Sequence, residues 1–197
     1  VYVTDSREVA INRDSLMQTA IGYWNEGWII TITWPQCKPG SAEQNFANSQ
    51  AKCTQEEFDS FLTAGTTGYK WLIAELDAAA VHLKKLRDAG VPVLWRPYHE
   101  MSGGWFWWEE KENFARLWDI MYDRFTKYHK LNNLLWVYGP NVPINKNIGP
   151  YKDYYPGHSK VDILGTDAYP KTREQFIREW HDEIVNLAGG RPVAQTE

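Results

Sequence analysis

Cysteine is scarce in this chain of 197 residues, which holds only Cys37 and Cys53. Neither stands near a pair of His, so no Cys/His set has metal-ligand spacing and no catalytic metal is expected. A cationic excess is missing too. Lys and Arg number 21 against 25 Asp and Glu, a formal net charge of −4, and no basic patch is offered to nucleic acid. No apolar run approaches the roughly 20 residues of a membrane span. Short repeats, low-complexity linkers and shifts in composition are also absent, and the expectation is a single domain over residues 1–197.

Aromatic residues are what the chain has in plenty, with 11 Trp and 11 Tyr. They gather in one segment, Trp95-Arg96-Pro97-Tyr98-His99-Glu100-Met101-Ser102-Gly103-Gly104-Trp105-Phe106-Trp107-Trp108. The run Val91-Pro92-Val93-Leu94-Trp95, rich in β-branched and aromatic side chains after the helix-ending Ala89-Gly90, reads as a buried strand. Arg96, His99 and Glu100 then fall at its carboxyl end, where α/β folds build their sites. Sugars suit such a surface, because pyranose C–H faces stack on flat rings while hydroxyls need charged or amide partners. A core histidine beside ordinary core aromatics is the plainer reading of any one of these residues, but the constellation favours a sugar-cleaving site. His99-Glu100 also opens the helical zinc motif His-Glu-x-x-His, yet its fifth position here is Gly103.

Strand-like runs near residues 28–34, 91–96, 134–138, 161–166 and 192–196 alternate with helical segments, which predicts a parallel sheet covered by helices. The helix before the motif is the clearest, with Leu72, Ile73, Leu76, Ala79, Ala80, Leu83 and Leu86 at three- and four-residue steps. A second is expected from Glu112 through Phe114, Leu117, Trp118, Met121 and Phe125 to Tyr128. A third runs from Arg173 through Phe176, Ile177 and Trp180 to Leu187. Glu109, Glu110 and Glu112 read as acids at a helix start, where they favour the dipole.

The motif segment closely resembles the acid/base motif of glycoside hydrolase family 26, chiefly endo-β-1,4-mannanases, and the resemblance covers nearly the whole chain. Trp28-Ile29-Ile30-Thr31-Ile32-Thr33-Trp34 resembles the family's third barrel strand and Leu134-Leu135-Trp136-Val137-Tyr138 the fifth. Val161 to Tyr169 resembles the sixth, and Arg191-Pro192-Val193-Ala194-Gln195-Thr196-Glu197 the seventh. The implied fold is an α/β (β/α)8 TIM barrel. Such barrels usually take about 250 residues, so this one is expected to be incomplete, holding strands 2 to 7 without the first and eighth. Val1-Tyr2-Val3-Thr4-Asp5-Ser6 reads as the tail of the second strand, and a fragment of a longer protein is expected. Open sheet edges are unfavourable in water.

The resemblance implies a retaining endo-β-1,4-mannanase acting on mannan, glucomannan or galactomannan by double displacement, without cofactor. Within the family, activity on mixed-linkage β-1,3-1,4-glucan or β-1,3-xylan is an alternative, and a non-catalytic sugar-binding remnant is another. A stable acetal needs a proton for the departing oxygen and an electron-rich group to meet the oxocarbenium ion. By resemblance Glu100 is the acid/base and Glu197 the nucleophile, about 5–5.5 Å apart in a retaining enzyme. Aromatic neighbours and the ionised partner should raise the Glu100 pKa. Tyr169 matches a tyrosine that supports the nucleophile, and Arg96 an arginine beneath it. His99 and Trp105 match sugar contacts on the non-reducing side, with Asp167 against the same ring. Trp107, Trp108, Trp136, Tyr138 and Asn141 are further, weaker substrate candidates, with packing under the site the alternative for the first two. Many members carry a polar residue such as His after the tryptophan matching Trp34, whereas this chain has Pro35-Gln36-Cys37, which leaves its distal glycone contacts and exact sugar preference open.

The composition suits an extracellular polysaccharide enzyme, expected to be secreted and monomeric. Cys37 and Cys53 flank a Pro/Gly/Ser/Asn-rich loop and are expected to form a disulfide, which the chain-entropy model values at roughly 3 kcal/mol. Two free thiols are the alternative.

Overall fold

The structure, a computed structural model, describes residues 13–109, 111–142, 151–169, 174 and 181–196. The segment Val1–Ser6 read as a second strand, Glu110, Glu197, and Arg173, Phe176, Ile177 and Trp180 of the third helix lie outside the described residues.

Among the described residues, β1 (Ile30–Trp34), β2 (Val93–Pro97), β3 (Leu134–Tyr138), β4 (Ile163–Thr166) and β5 (Val193–Gln195) form one sheet in chain order. Every pairing is parallel, with Thr33 opposite Arg96, Trp95 opposite Trp136 and Gly165 opposite Ala194. The parallel sheet is the one that the alternation of strand and helix patterns predicts, and its order is that of the incomplete (β/α)8 barrel implied by the family resemblance. Each strand lies within two residues of its expected place.

The helices bounded among the described residues are α1 (Arg13–Asn25), α2 (Phe46–Ser49), α3 (Gln55–Leu62), α4 (Thr67–Asp88), α5 (Phe114–Asp123) and α6 (Asp182–Ala188). Local chemistry sets their ends. Thr54 and Glu57 form a reciprocal capping box on α3, and the Thr66 hydroxyl accepts from the Tyr69 N–H at the start of α4. Helix α4 buries Leu72, Leu76, Ala80, Leu83 and Leu86 along one stripe, each leucine contributing about 1.5–3 kcal/mol of burial. Helix α5 passes into a π-helical turn at Arg124–Tyr128, and α6 ends on Gly189 in the left-handed region, where the missing Cβ removes the steric cost.

Alternation along the strands sorts their side chains. Trp34, Trp95, Trp136 and Tyr138 face the helices and join the core, where Trp136 packs against Trp118, Tyr122 and Phe125. Thr33 and Arg96, opposite one another on β1 and β2, share the other face and hydrogen-bond at 3.3 Å. That face becomes the floor of the site.

The Cys37–Cys53 disulfide expected from sequence is not formed. Both are free thiols: buried Cys37 donates to the Asn45 carbonyl at 3.1 Å and Cys53 contacts the Thr54 carbonyl at 3.4 Å. The loop is closed by other groups. Lys38 N–H donates to the Asn48 carbonyl, and the Lys38 ammonium bridges the Lys52 carbonyl at 2.9 Å and Glu57 at 3.2 Å.

Candidate active site

Arg96 is the last interior side chain of β2 and is almost wholly buried. Its guanidinium pairs with the equally buried Asp167 carboxylate just beyond β4, and Thr196 beyond β5 donates to the same carboxylate at 2.6 Å. A buried charge survives only when paired and hydrogen-bonded in this way. Two glycines make room for the layer. A Cβ on Gly139 would lie 3.0 Å from Arg96 Nε, and one on Gly165 would lie 2.3 Å from Thr196 Cγ2. Thr196 thus ties the end of β5 into the floor, and Glu197 is the next residue in sequence.

Above the floor the chain leaves β2 through an unusual backbone. Tyr98 and Glu100 have φ of 45° and 54°, left-handed conformations that cost about 1–3 kcal/mol in a non-glycine residue and gather at functional sites. They are held there by their surroundings. The Glu100 N–H donates to the Gly139 carbonyl at 2.8 Å, while Ser102 donates to Asn141 Oδ1 at 2.8 Å. Tyr98 is buried, and its hydroxyl donates to Gln36 Oε1; the Gln36 amide then reaches Glu75 at 2.8 Å. Burial pushes the Glu75 carboxyl up to about 7. Gln36, in the segment that departs from the family pattern, therefore anchors the loop from below.

The strained backbone delivers Glu100 to the mouth, where Trp105 Nε1 donates to its Oε2 at 2.9 Å. The Trp105 ring lies flat over Gly103, where a Cβ would come within 2.3 Å of it. His99 is buried beside Glu100, its ring 4.9 Å from Phe106; burial, with Arg96 nearby, depresses its pKa to about 3. It is therefore a neutral imidazole. Tyr169 follows Asp167 and is 73% exposed at the rim.

Several residues expected at the substrate belong to the core instead. Trp108 is fully buried, stacked on Phe106 at 4.4 Å, and its indole N–H donates to the His99 carbonyl. Trp107 is buried with its N–H on the Gln36 carbonyl. Trp136 and Tyr138 point to the helix side because β3 alternates about Val137, and the Tyr138 hydroxyl donates to the Tyr151 carbonyl at 2.7 Å. Asn141 spends its amide on Ser102 and Val142. The Asp167 carboxylate has no exposed surface and serves Arg96 and Thr196, so it supports the floor.

Glu109 was also misplaced by sequence reasoning. Glu109 does not open a helix, since α5 begins only at Phe114 after Asn113. Its side chain is buried and turned back into the aromatic loop, where Oε2 accepts from the Trp105 and Phe106 backbone N–H groups, with Gly104 contributing as well. Burial pushes its pKa up to about 8, with the Glu100 charge adding to the effect. A carboxylate placed directly after four aromatics and a Gly pair was the available signal. Among the described residues no group of three His, Cys, Asp or Glu could hold a metal ion.

Comparison with known proteins agrees with this architecture. The description "Glycosyl hydrolase family 26" matches residues 2–197. A mannan endo-1,4-beta-mannosidase of Bacillus subtilis (strain 168) is 33% identical over 99% of this chain and 52% of its own length. One from Thermothelomyces thermophilus is 37% identical over 87% of this chain and 35% of its own. The chain thus spans about half, or less, of these curated relatives. Among solved structures, GH26A from Muricauda sp. superposes with a TM-score of 0.86 at 40% identity, covering 93% of this chain and 61% of that one. A beta-mannanase from a symbiotic protist of the termite Reticulitermes speratus, complexed with gluco-manno-oligosaccharide, gives a TM-score of 0.77 at 33% identity over 99% of this chain and 58% of that one. With a family match running almost from end to end and this fold beneath it, the chain belongs to glycosyl hydrolase family 26.

Proposed function

We propose that the protein is a retaining endo-β-1,4-mannanase in which Glu100 is the general acid/base and Glu197 the nucleophile. The observation that carries this reading is the presentation of Glu100: a carboxyl at the strand end, forced into the left-handed region and oriented by the Trp105 indole N–H at 2.9 Å. A group that must donate a proton to a departing glycosidic oxygen, and later take one from water, needs one fixed position for both steps. The relatives named as mannan endo-1,4-beta-mannosidases support the substrate class.

In the first step Glu197 attacks the anomeric carbon as Glu100 protonates the leaving oxygen. In the second, Glu100 takes a proton from water, which displaces Glu197 and restores the configuration. The half-buried Trp105 offers its ring to a sugar face and neutral His99 offers a hydroxyl partner; Tyr169 at the rim supports the nucleophile. Arg96 and Asp167 keep the floor rigid and balanced in charge. An insoluble plant polymer is met outside the cell, which suits a secreted enzyme.

Proton NMR of mannohexaose hydrolysis by the full-length protein tests the reading. The anomer formed earliest should be β. An initial α-product would refute double displacement, and cleavage of mixed-linkage glucan or β-1,3-xylan in place of mannohexaose would move the substrate assignment within the family.

A further inference from the structure

The aromatic loop after β2 is closed by a carboxyl group, that of Glu109, which stands outside the acid/base pair. Successive backbone N–H groups of Gly104, Trp105 and Phe106 converge on it, the Phe106 bond measuring 2.9 Å, and Gly104 turns the chain with φ of 92°. Such a run of N–H groups forms a concave anion-binding nest. Its occupant here is only 3% exposed, and its second oxygen, Oε1, is buried without a hydrogen-bond partner among the described residues. Trp105 therefore sits between two carboxyls. Its backbone N–H is held by Glu109 and its indole N–H holds Glu100 at 2.9 Å.

We propose that Glu109 is a positioning residue for the acid/base: by fixing the backbone of Trp105 it sets where the indole N–H meets Glu100, and so where the proton is delivered. The inference rests on Glu100 being the acid/base. Two features leave the indole little freedom to find Glu100 by itself. The loop is short, and the ring lies so close to Gly103 that a Cβ there would collide with it. Without Glu109 the N–H groups of the nest would be left unpaired, and the loop would relax toward solvent to satisfy them.

The test compares two substrates on the full-length protein: mannan, whose leaving sugar needs a proton, and 2,4-dinitrophenyl β-mannobioside, whose leaving group departs without one. A positioned proton donor is worth roughly 10²–10⁴-fold. Misplacing it in Glu109→Ala should lower kcat/KM on mannan by roughly ten- to a hundredfold while the activated substrate changes less than about threefold. Glu109→Gln keeps an oxygen acceptor for the nest and should recover most of the loss. Glu109→Asp retains a carboxyl group but withdraws it by one methylene, and should show an intermediate loss with the same dependence on leaving group, even if the alanine variant does not fold.

Equal losses on both substrates, or none in the alanine and aspartate variants, would overturn the proposal. Glu100→Ala separates the two levels of the argument. If it hydrolyses mannan at the parent rate, the acid/base assignment has failed and the proposal falls with it. If it loses mannan and keeps the activated substrate while the Glu109 variants match the parent, only the positioning role is refuted.

Discussion

Glu100 and Glu109 stand nine residues apart, one at the head and the other at the foot of the same aromatic loop, and both are bonded to Trp105. Their settings differ. Glu100 sits on strained backbone at the mouth and takes the indole N–H, whereas Glu109 is sunk into the loop and takes backbone N–H groups. Residue type does not separate them, and neither does distance from the motif. What separates them is which donors face each carboxyl and how far water is excluded, because these fix whether the group can exchange a proton with a substrate or only hold a loop.

The largest way to sharpen the contrast uses pH. Burial raises Glu109 from 4.5 to about 8, so the folded protein keeps a proton there that the unfolded chain releases. The stabilisation is full below about pH 4.5 and is lost as pH rises through about 8. Replacing Glu109 by Gln removes this titration. The variant should gain on the parent between about pH 5 and about pH 9 by on the order of several kcal/mol, read from urea unfolding at both values. An equal gap at both would show that Glu109 ionises like an exposed carboxyl. His99 gives the opposite sign. Its folded pKa of about 3 lies below the ordinary 6.5, so its contribution is present above 6.5 and fades as pH falls toward 3.

A smaller effect is expected at Gly103, where an added Cβ would fall 2.3 Å from the Trp105 ring. Gly103→Ala should displace the indole from Glu100 and cost about tenfold in kcat/KM on mannan, about 1.4 kcal/mol, with the fold retained. Parent-level turnover there would mean that the ring can move without consequence. The smallest effect on catalysis belongs to Tyr138, which turns away from the mouth. Tyr138→Phe leaves the Tyr151 carbonyl without its buried donor and should cost about 1–3 kcal/mol of stability while KM for mannan stays put. A raised KM would return Tyr138 to the substrate side.

Much of the fold was legible in sequence. The strand runs and the α4 stripe were readable because burial on one side of each element repeats at the period of the backbone itself. The site was less so. His99, Glu100 and Trp105 stand together after β2, and Arg96 and Asp167 meet beneath them as an ion pair. Trp108, Trp136 and Tyr138 look the same in sequence as a residue at a sugar, but facing is a property of register. On β3 the odd position Val137 shares the interior side, so the even ones meet the helices. The disulfide failed for a related reason: spacing allows a bridge between Cys37 and Cys53, yet the thiols found separate carbonyl partners.

The sequence by itself determined the order of strands and helices, the glycines at Gly103, Gly139 and Gly165, and the family to which these belong, since periodicity, missing side chains and motif spacing are written residue by residue. Only the tertiary structure decided which aromatics reach the mouth, which carboxylates are buried, and that Glu109 closes the loop bearing Trp105. Those outcomes depend on which groups from distant segments face one another and on how much water remains between them, and neither quantity is carried by any local stretch of chain.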